Sequence, residues 1–269
     1  MKTIGFIGGG NMAQALFEGV LNASLFEADR LWVSDVRAER LNELKAQYSV
    51  HVTTDNRTLT QQADIIVLSV KPQVMADVLD GIAGTLKEEA LVISIAAGIT
   101  ADSIKAKLGA VQIVRVMPNT PALVGAGASG LYNASASQDG LQTAVDIFTS
   151  VGRAVVVEGE NLIDAVTAVS GSGPAYFFLL MEEMIKAGVE LGLTAETAKT
   201  LVLQTAKGAA LLAESAQEQG EDPAVLRQKV TSPGGTTEAA LKTFTAEGFE
   251  AIVKKALKAA RDRGRALSG

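Results

Sequence analysis

Short, largely apolar, strand-like runs punctuate the first part of the chain, at residues 3–8, 30–34, 50–53, 64–70, 90–95, 112–117, 128–132 and 153–157. Runs of this length predict strands, and the helical periodicity between many of them, as over 37–48, 73–86 and 100–108, predicts helices. Ile65-Ile66-Val67-Leu68 has no polar position at all, the mark of a strand covered on both faces by helices, as in a parallel sheet. The alternation predicts an α/β fold: an N-terminal Rossmann-type doubly wound sheet with its ligand at the carboxyl ends of the strands.

Beyond residue 160 the strand pattern stops. Residues 161–219 read as long helices rich in Ala, Leu and Met, broken near Gly171-Ser172-Gly173-Pro174 and Gly192-Leu193-Thr194. A shorter helix over 223–230, a glycine-rich turn and two further helices complete the chain. Two domains are therefore expected, 1–160 and an all-α domain over 161–269. Several of its helices, 175–185 most clearly, are apolar around much of their circumference. A small helical domain has too few interior positions for them, so the excess is expected to bury against a second copy in a homodimer.

The bulk composition removes several function classes. The 269 residues are 48% hydrophobic and 20% charged, as in a soluble globular protein, and the net charge of −6 speaks against a nucleic-acid partner. There is no cysteine, so disulfides, thiolate catalysis and Cys-ligated zinc are excluded. No basic n-region with an apolar stretch opens the chain, and no apolar run approaches the ~18 residues of a membrane span. The expectation is a cytoplasmic protein without a membrane partner.

Chemistry first enters at the end of the first strand, where Ile4-Gly5-Phe6-Ile7 breaks into Gly8-Gly9-Gly10-Asn11-Met12-Ala13. A strand, a tight glycine turn and a helix in this order suit a dinucleotide pyrophosphate: Gly8 for the turn, Gly10 for close backbone approach, Ala13 for helix–strand packing. The second strand ends in Ser34-Asp35-Val36-Arg37. Asp35 there disfavours the 2′-phosphate of NADPH if it points inward, whereas Ser34 and Arg37 favour it; a plain surface loop is the third reading. NADPH is the expected cofactor, with NADH also used. Asn56 either caps its helix or reaches the adenine side. Val70-Lys71-Pro72 and Ala96-Ala97-Gly98 close strands that should flank the nicotinamide.

Proton carriers are scarce. His51, the single histidine, lies in a short polar-flanked strand and reads as non-catalytic. Neither a metal-ligand cluster nor a nucleophile elbow is visible. Two glycine-rich stretches remain in the second half. Ser170-Gly171-Ser172-Gly173-Pro174 permits close helix–helix approach. Ser232-Pro233-Gly234-Gly235-Thr236-Thr237 gathers backbone N–H groups and hydroxyls at a helix start, which suits a small carboxylate; a simple interhelical turn is the alternative.

Together with Val70-Lys71-Pro72-Gln73 and Arg115-Val116-Met117-Pro118-Asn119-Thr120-Pro121, these segments resemble the pyrroline-5-carboxylate reductases, in order and along the whole chain. The resemblance implies a Rossmann domain followed by a helical dimerisation domain, often built into larger rings of dimers. It implies hydride transfer from NAD(P)H to the C=N carbon of 1-pyrroline-5-carboxylate, giving L-proline. By motif, Ile7, Gly8, Gly9, Gly10, Asn11 and Met12 cradle the pyrophosphate, and Ser34 and Asn56 sit on the adenosine side. Val70, Lys71, Pro72, Ala96, Ala97 and Gly98 line the ribose and nicotinamide. Ser232, Gly234, Gly235, Thr236 and Thr237 hold the substrate, with Thr237 near the ring nitrogen, and Glu221 is the candidate for an acidic residue the family places near the substrate. Two rivals are weighed against this. A 3-hydroxyacid dehydrogenase of similar build carries a catalytic lysine four residues beyond the second glycine of its Gly-Ser-Gly turn, where this chain has Phe177. A non-catalytic dinucleotide sensor has no need of the Pro118–Pro121 or Ser232–Thr237 segments.

Overall fold

A computed structural model describes residues 2–267; residues 1, 268 and 269, included in the expected domains, lie outside the described residues. The chain divides into two compact units, residues 1–174 with 259–269, and residues 175–258.

The first unit is an eight-stranded sheet in which helices follow most strands: β1 (Ile4–Ile7), α1 (Asn11–Asn22), β2 (Leu31–Ser34), α2 (Ala38–Tyr48), β3 (His51–Thr53), α3 (Asn56–Gln62), β4 (Ile65–Leu68), α4 (Met75–Ile82), β5 (Leu91–Ser94), α5 (Ala101–Leu108), β6 (Gln112–Met117), β7 (Gly127–Asn133), α6 (Gln138–Thr149) and β8 (Gly152–Val157). The strand order is β3-β2-β1-β4-β5-β6-β7-β8. The order reverses between β1 and β4, which opens a crevice at their carboxyl ends. All neighbours are parallel except β6 and β7. The link between those two strands is too short for the crossover a parallel pair needs, so the chain doubles back.

Alternate side chains of each strand feed two cores. Ile4, Phe6, Ile65 and Val67 join Leu16, Phe17 and Phe148 on one face; Ile7, Ile66 and Leu68 join Leu59, Met75 and Ile104 on the other. This two-sided burial is why Ile65–Leu68 is apolar at every position. The β1 start is tied by Asp64, whose carboxylate accepts from the Thr3 N–H (2.7 Å) and pairs with Lys87 (2.9 Å). Burial pushes the Asp64 carboxyl up, but the Lys87 hydrogen bond, the Thr3 N–H and the charges of Lys87 and Lys2 outweigh it and leave it below the ordinary 3.8. A depressed folded-state value stabilises the fold above the unfolded value and loses that contribution as pH falls through the folded one. Asp64→Asn should therefore cost about 0.5–1 kcal/mol at pH 7, discounted because the pair is partly solvated. Urea titrations at pH 7 and pH 3 should show the difference between the two proteins shrinking in acid.

A helical run comes after the sheet: α7 (Leu162–Val166), a π-helical turn at Thr167–Gly171, and α8 (Gly173–Glu190). Contrary to the sequence expectation, the run Leu162–Glu190 is long and apolar enough by length and composition to cross a membrane, yet only 17% of its most apolar window is buried. Gly-Ser-Gly-Pro reads as a break in the sequence, but the chain passes through it in a π-helical turn and a helical Ser172 without ending the run. The second unit continues with α9 (Ala195–Gln217), α10 (Pro223–Lys229), α11 (Thr236–Ala246) and α12 (Phe249–Leu267), the last part of which belongs to the first unit. Phe177, Phe178, Leu179, Leu211 and Leu212 are all more than half exposed.

Candidate active site

β1 delivers the chain to Gly8 at φ +100°, where a Cβ would sit 2.9 Å from the Ser69 carbonyl oxygen. Only glycine fits that turn. The Gly8 N–H donates to the Ser34 carbonyl (2.7 Å), and the Ser69 hydroxyl, 2.9 and 2.8 Å from the carbonyls of Ile7 and Gly8, pins the loop from the β4 side. Gly9 is enclosed, its absent Cβ facing Leu44 at 3.1 Å. Gly10 differs: a Cβ there would meet nothing within 4 Å, and no side chain caps α1 behind it. The protein's own packing does not require glycine at 10. The bare backbone and uncapped first turn leave a cradle that fits a pyrophosphate.

At the end of β2, where the adenosine side is expected, Ser34 is fully buried and its hydroxyl donates to Asn56 Oδ1 (2.7 Å). Asn56 is the first residue of α3, and the cap is its neighbour Asp55, which accepts from the Arg57 N–H (2.9 Å). The capping role considered for Asn56 is thereby corrected. Asp35 accepts from the Gly9 N–H (2.9 Å) and the Arg37 N–H (3.0 Å) and pairs with the Arg37 guanidinium (3.2 Å). Burial raises the Asp35 carboxyl, but those hydrogen bonds and the Arg37 charge outweigh it and hold it below its ordinary value. Arg40, not anticipated from sequence, donates Nε to the Gly9 carbonyl (2.9 Å). In sequence it is one more charge on a polar helix face.

Lys71 is exposed after β4, with Val70 half-buried beside it and Pro72 opening a short 3-10 turn. After β5, Ala96 is buried, Ala97 is half-buried, and Gly98 adopts φ +74° with its absent Cβ 2.7 Å from the Leu267 carbonyl at the end of α12. Glu160 ties the start of α5 to β6, accepting from the Ala101 N–H and from Arg115 Nη1, both at 2.7 Å. Asn119 donates to the Ser170 carbonyl (3.0 Å) and accepts from the Ala128 N–H (2.9 Å). The Pro118-Asn119-Thr120-Pro121 segment is thus a clamp between β7 and the π-helical turn.

In the second unit, α10 and α11 are joined by the Ser232–Gly235 corner. Gly234 has φ +71°, its N–H donates to Glu238 Oε2 (2.8 Å), and the Gly235 N–H donates to the Ser232 carbonyl (3.0 Å). Two of the expected anion donors are therefore spent inside the turn. Thr236 and Thr237 open α11 without a capping side chain; Ser232 is exposed and Thr237 half-buried. Glu221 pairs with Lys229 at 2.5 Å. His51 stacks on Trp32 (centroids 4.7 Å) at the β3 edge of the sheet. Phe177 is 65% exposed.

The fold and the glycine cradle define a Rossmann-type NAD(P)-dependent oxidoreductase. Residues 160–267 match the family profile described as pyrroline-5-carboxylate reductase dimerisation, and residues 3–98 match that of the coenzyme F420-dependent NADP oxidoreductases. The pyrroline-5-carboxylate reductase of Pseudomonas aeruginosa is 50% identical over 267 residues, covering 98% of this chain and 96% of that one. The chain belongs to the pyrroline-5-carboxylate reductase family. Among solved structures, the reductase of Coxiella burnetii superposes with a TM-score of 0.91 at 41% identity, covering 100% of this chain and 99% of that one. The Plasmodium falciparum pyrroline carboxylate reductase with NADP bound gives 0.87 at 32%, covering 100% and 98%.

Proposed function

We propose that the protein reduces the C=N bond of 1-pyrroline-5-carboxylate with NAD(P)H to give L-proline, the last step of proline biosynthesis. The observation that carries this reading is the end-to-end likeness to the Pseudomonas aeruginosa reductase, because it spans both the dinucleotide cradle and the Ser232–Thr237 corner.

The main chain of Ile7, Gly8, Gly9, Gly10, Asn11 and Met12 surrounds the pyrophosphate, with Ser34, Arg37 and Asn56 toward the adenosine. Val70, Lys71, Pro72, Ala96, Ala97 and Gly98 border the ribose and nicotinamide. The bound cofactor supplies the hydride. The uncapped N–H groups of Thr236 and Thr237 hold the substrate carboxylate, while Gly234 and Gly235, whose own N–H groups are occupied, shape the turn. The Thr237 hydroxyl keeps the ring nitrogen hydrogen-bonded, with Ser232 beside it and Glu221 at the rim. A protonated imine is already a strong electrophile, so the catalytic demand is positioning, worth up to about 7–11 kcal/mol in favourable cases. No histidine is required for that. The lysine of a 3-hydroxyacid dehydrogenase has no counterpart at Phe177.

A functional border at 160/161 is supported by a dimerisation profile that starts at residue 160, although residues 161–174 group with the sheet. The exposed apolar side chains of α8 and α9, and a groove of 1130 Å³ lined by Leu180, Leu241, Phe244, Phe249 and Val253, support a homodimer through the helical domain, the unit of a larger ring of dimers. A cytoplasmic setting follows from the reduced-cofactor supply this chemistry draws on.

The test is the absorbance of reduced nicotinamide with freshly prepared pyrroline-5-carboxylate. Substrate-dependent loss of NADPH or NADH with L-proline as product is expected. Absence of that loss with both cofactors would sink the proposal.

A further inference from the structure

From Ala259 onward α12 groups with the sheet, whereas the start of the same helix groups with the helical unit. Two contacts within the first unit hold that end. At α7, a Cβ on Gly264 would lie 3.4 Å from Asp164 Oδ1, and Arg265 Nε stands 3.7 Å from Asp164 Oδ2. Glycine weakens the helix it sits in; what Gly264 gains is close approach to α7, where a side chain longer than a methyl group reaches Asp164. At the carboxyl end of β5, a Cβ on Gly98 would lie 2.7 Å from the Leu267 carbonyl oxygen and 3.0 Å from its carbon. The two main chains therefore touch.

Gly98 belongs to the loop assigned to the nicotinamide, and that loop has few supports of its own. Among the described residues, no main-chain hydrogen bond joins Ala96, Ala97, Gly98 or Ile99 to another backbone group. Its flanks are held instead: the Ile95 N–H donates to the Leu68 carbonyl (3.2 Å) and the Ala101 N–H to Glu160 (2.7 Å). Between those two points packing sets the path of the chain, and Gly98, at φ +74°, packs on Leu267. A misplacement of about 1 Å at a reacting group can cost up to about 100-fold in rate, so whatever backs this loop bears on hydride transfer. We propose that the end of α12 is a brace for the nicotinamide loop, and that Asp164, Gly264 and Arg265 are positioning residues acting on the reaction through Leu267 and Gly98. This rests on the imine-reductase reading of the site.

The test uses the full chain, unmodified and with substitutions at the α7 contact. Asp164→Arg sets two cations against each other, Gly264→Leu wedges α12 off α7, and Asp164→Arg combined with Arg265→Asp swaps the pair. Hydrogen exchange over residues 259–267 reports whether the brace has lifted. Calorimetry with ADP reports the adenosine and pyrophosphate half of the cofactor site, and steady-state kinetics at saturating NADPH and pyrroline-5-carboxylate gives kcat. Asp164→Arg and Gly264→Leu should speed exchange over 259–267 and lower kcat by about three- to tenfold, with ADP affinity held within about twofold. The charge swap should recover most of the lost kcat, a rescue that a general folding defect does not show. The proposal is overturned if exchange stays unchanged in both single variants, or if it speeds up while kcat holds. It is overturned as well if ADP affinity falls by the same factor as kcat, or if the charge swap recovers nothing. If the unmodified protein binds ADP but turns over no imine, the functional reading fails instead and takes the proposal with it.

Discussion

Thr237→Ala is expected to lower kcat/KM for the imine by about 10- to 100-fold, roughly 1.4–3 kcal/mol of lost transition-state stabilisation from one hydrogen bond. Thr237 is half-buried at the second position of α11, behind a turn whose glycines are internally bonded. Truncating its hydroxyl therefore leaves the corner's backbone in place, and the loss should fall mainly on kcat. Steady-state kinetics with saturating NADPH checks this. Unchanged kinetics would remove Thr237 from the chemistry and return the corner to an interhelical turn.

Glu160→Ala should destabilise the first unit by about 3 kcal/mol, near the low end for breaking a buried ion pair by removing one partner. Arg115 is 5% exposed, so its charge would be left without the 2.7 Å partner that compensates it. The same substitution frees the first N–H of α5, directly after the Ala96–Gly98 loop. Glu160→Gln keeps both acceptor contacts and loses only the charge, and it should cost less than half as much. Urea unfolding at fixed protein concentration compares the two, since oligomerisation shifts apparent stability. Equal costs for both variants would show that the charge, not the hydrogen-bond geometry, is what Arg115 needs.

How much of this was legible in the sequence depends on whether a feature is local. The β4 strand is written in four consecutive apolar residues, and the turn at Gly8 in a glycine that only a positive φ explains. Helix ends were less so: a reading of 73–86 shortens to Met75–Ile82, because Pro72–Val74 is a 3-10 turn and Gly84 adopts φ +72°. The antiparallel turn of β7 was hidden, as strand direction depends on the length of the connection and not on the strand's own residues. Long-range contacts were hidden as well. The Arg40–Gly9 and Leu267–Gly98 approaches join residues 31 and 169 positions apart, and no local pattern announces them. Glu238 stood in plain view at the end of the Ser232–Thr237 segment, yet its reach back to the Gly234 N–H depends on a turn geometry that the sequence only suggests.

The stacking of Trp32 on His51 equips the molecule with an optical reporter. Trp32 is the single indole in the chain, and it lies two residues before Ser34 on the same face of β2. Its emission originates from one known place, so a change in intensity on mixing with nucleotide reports events at the end of β2, where the adenosine is proposed to bind, without any attached dye.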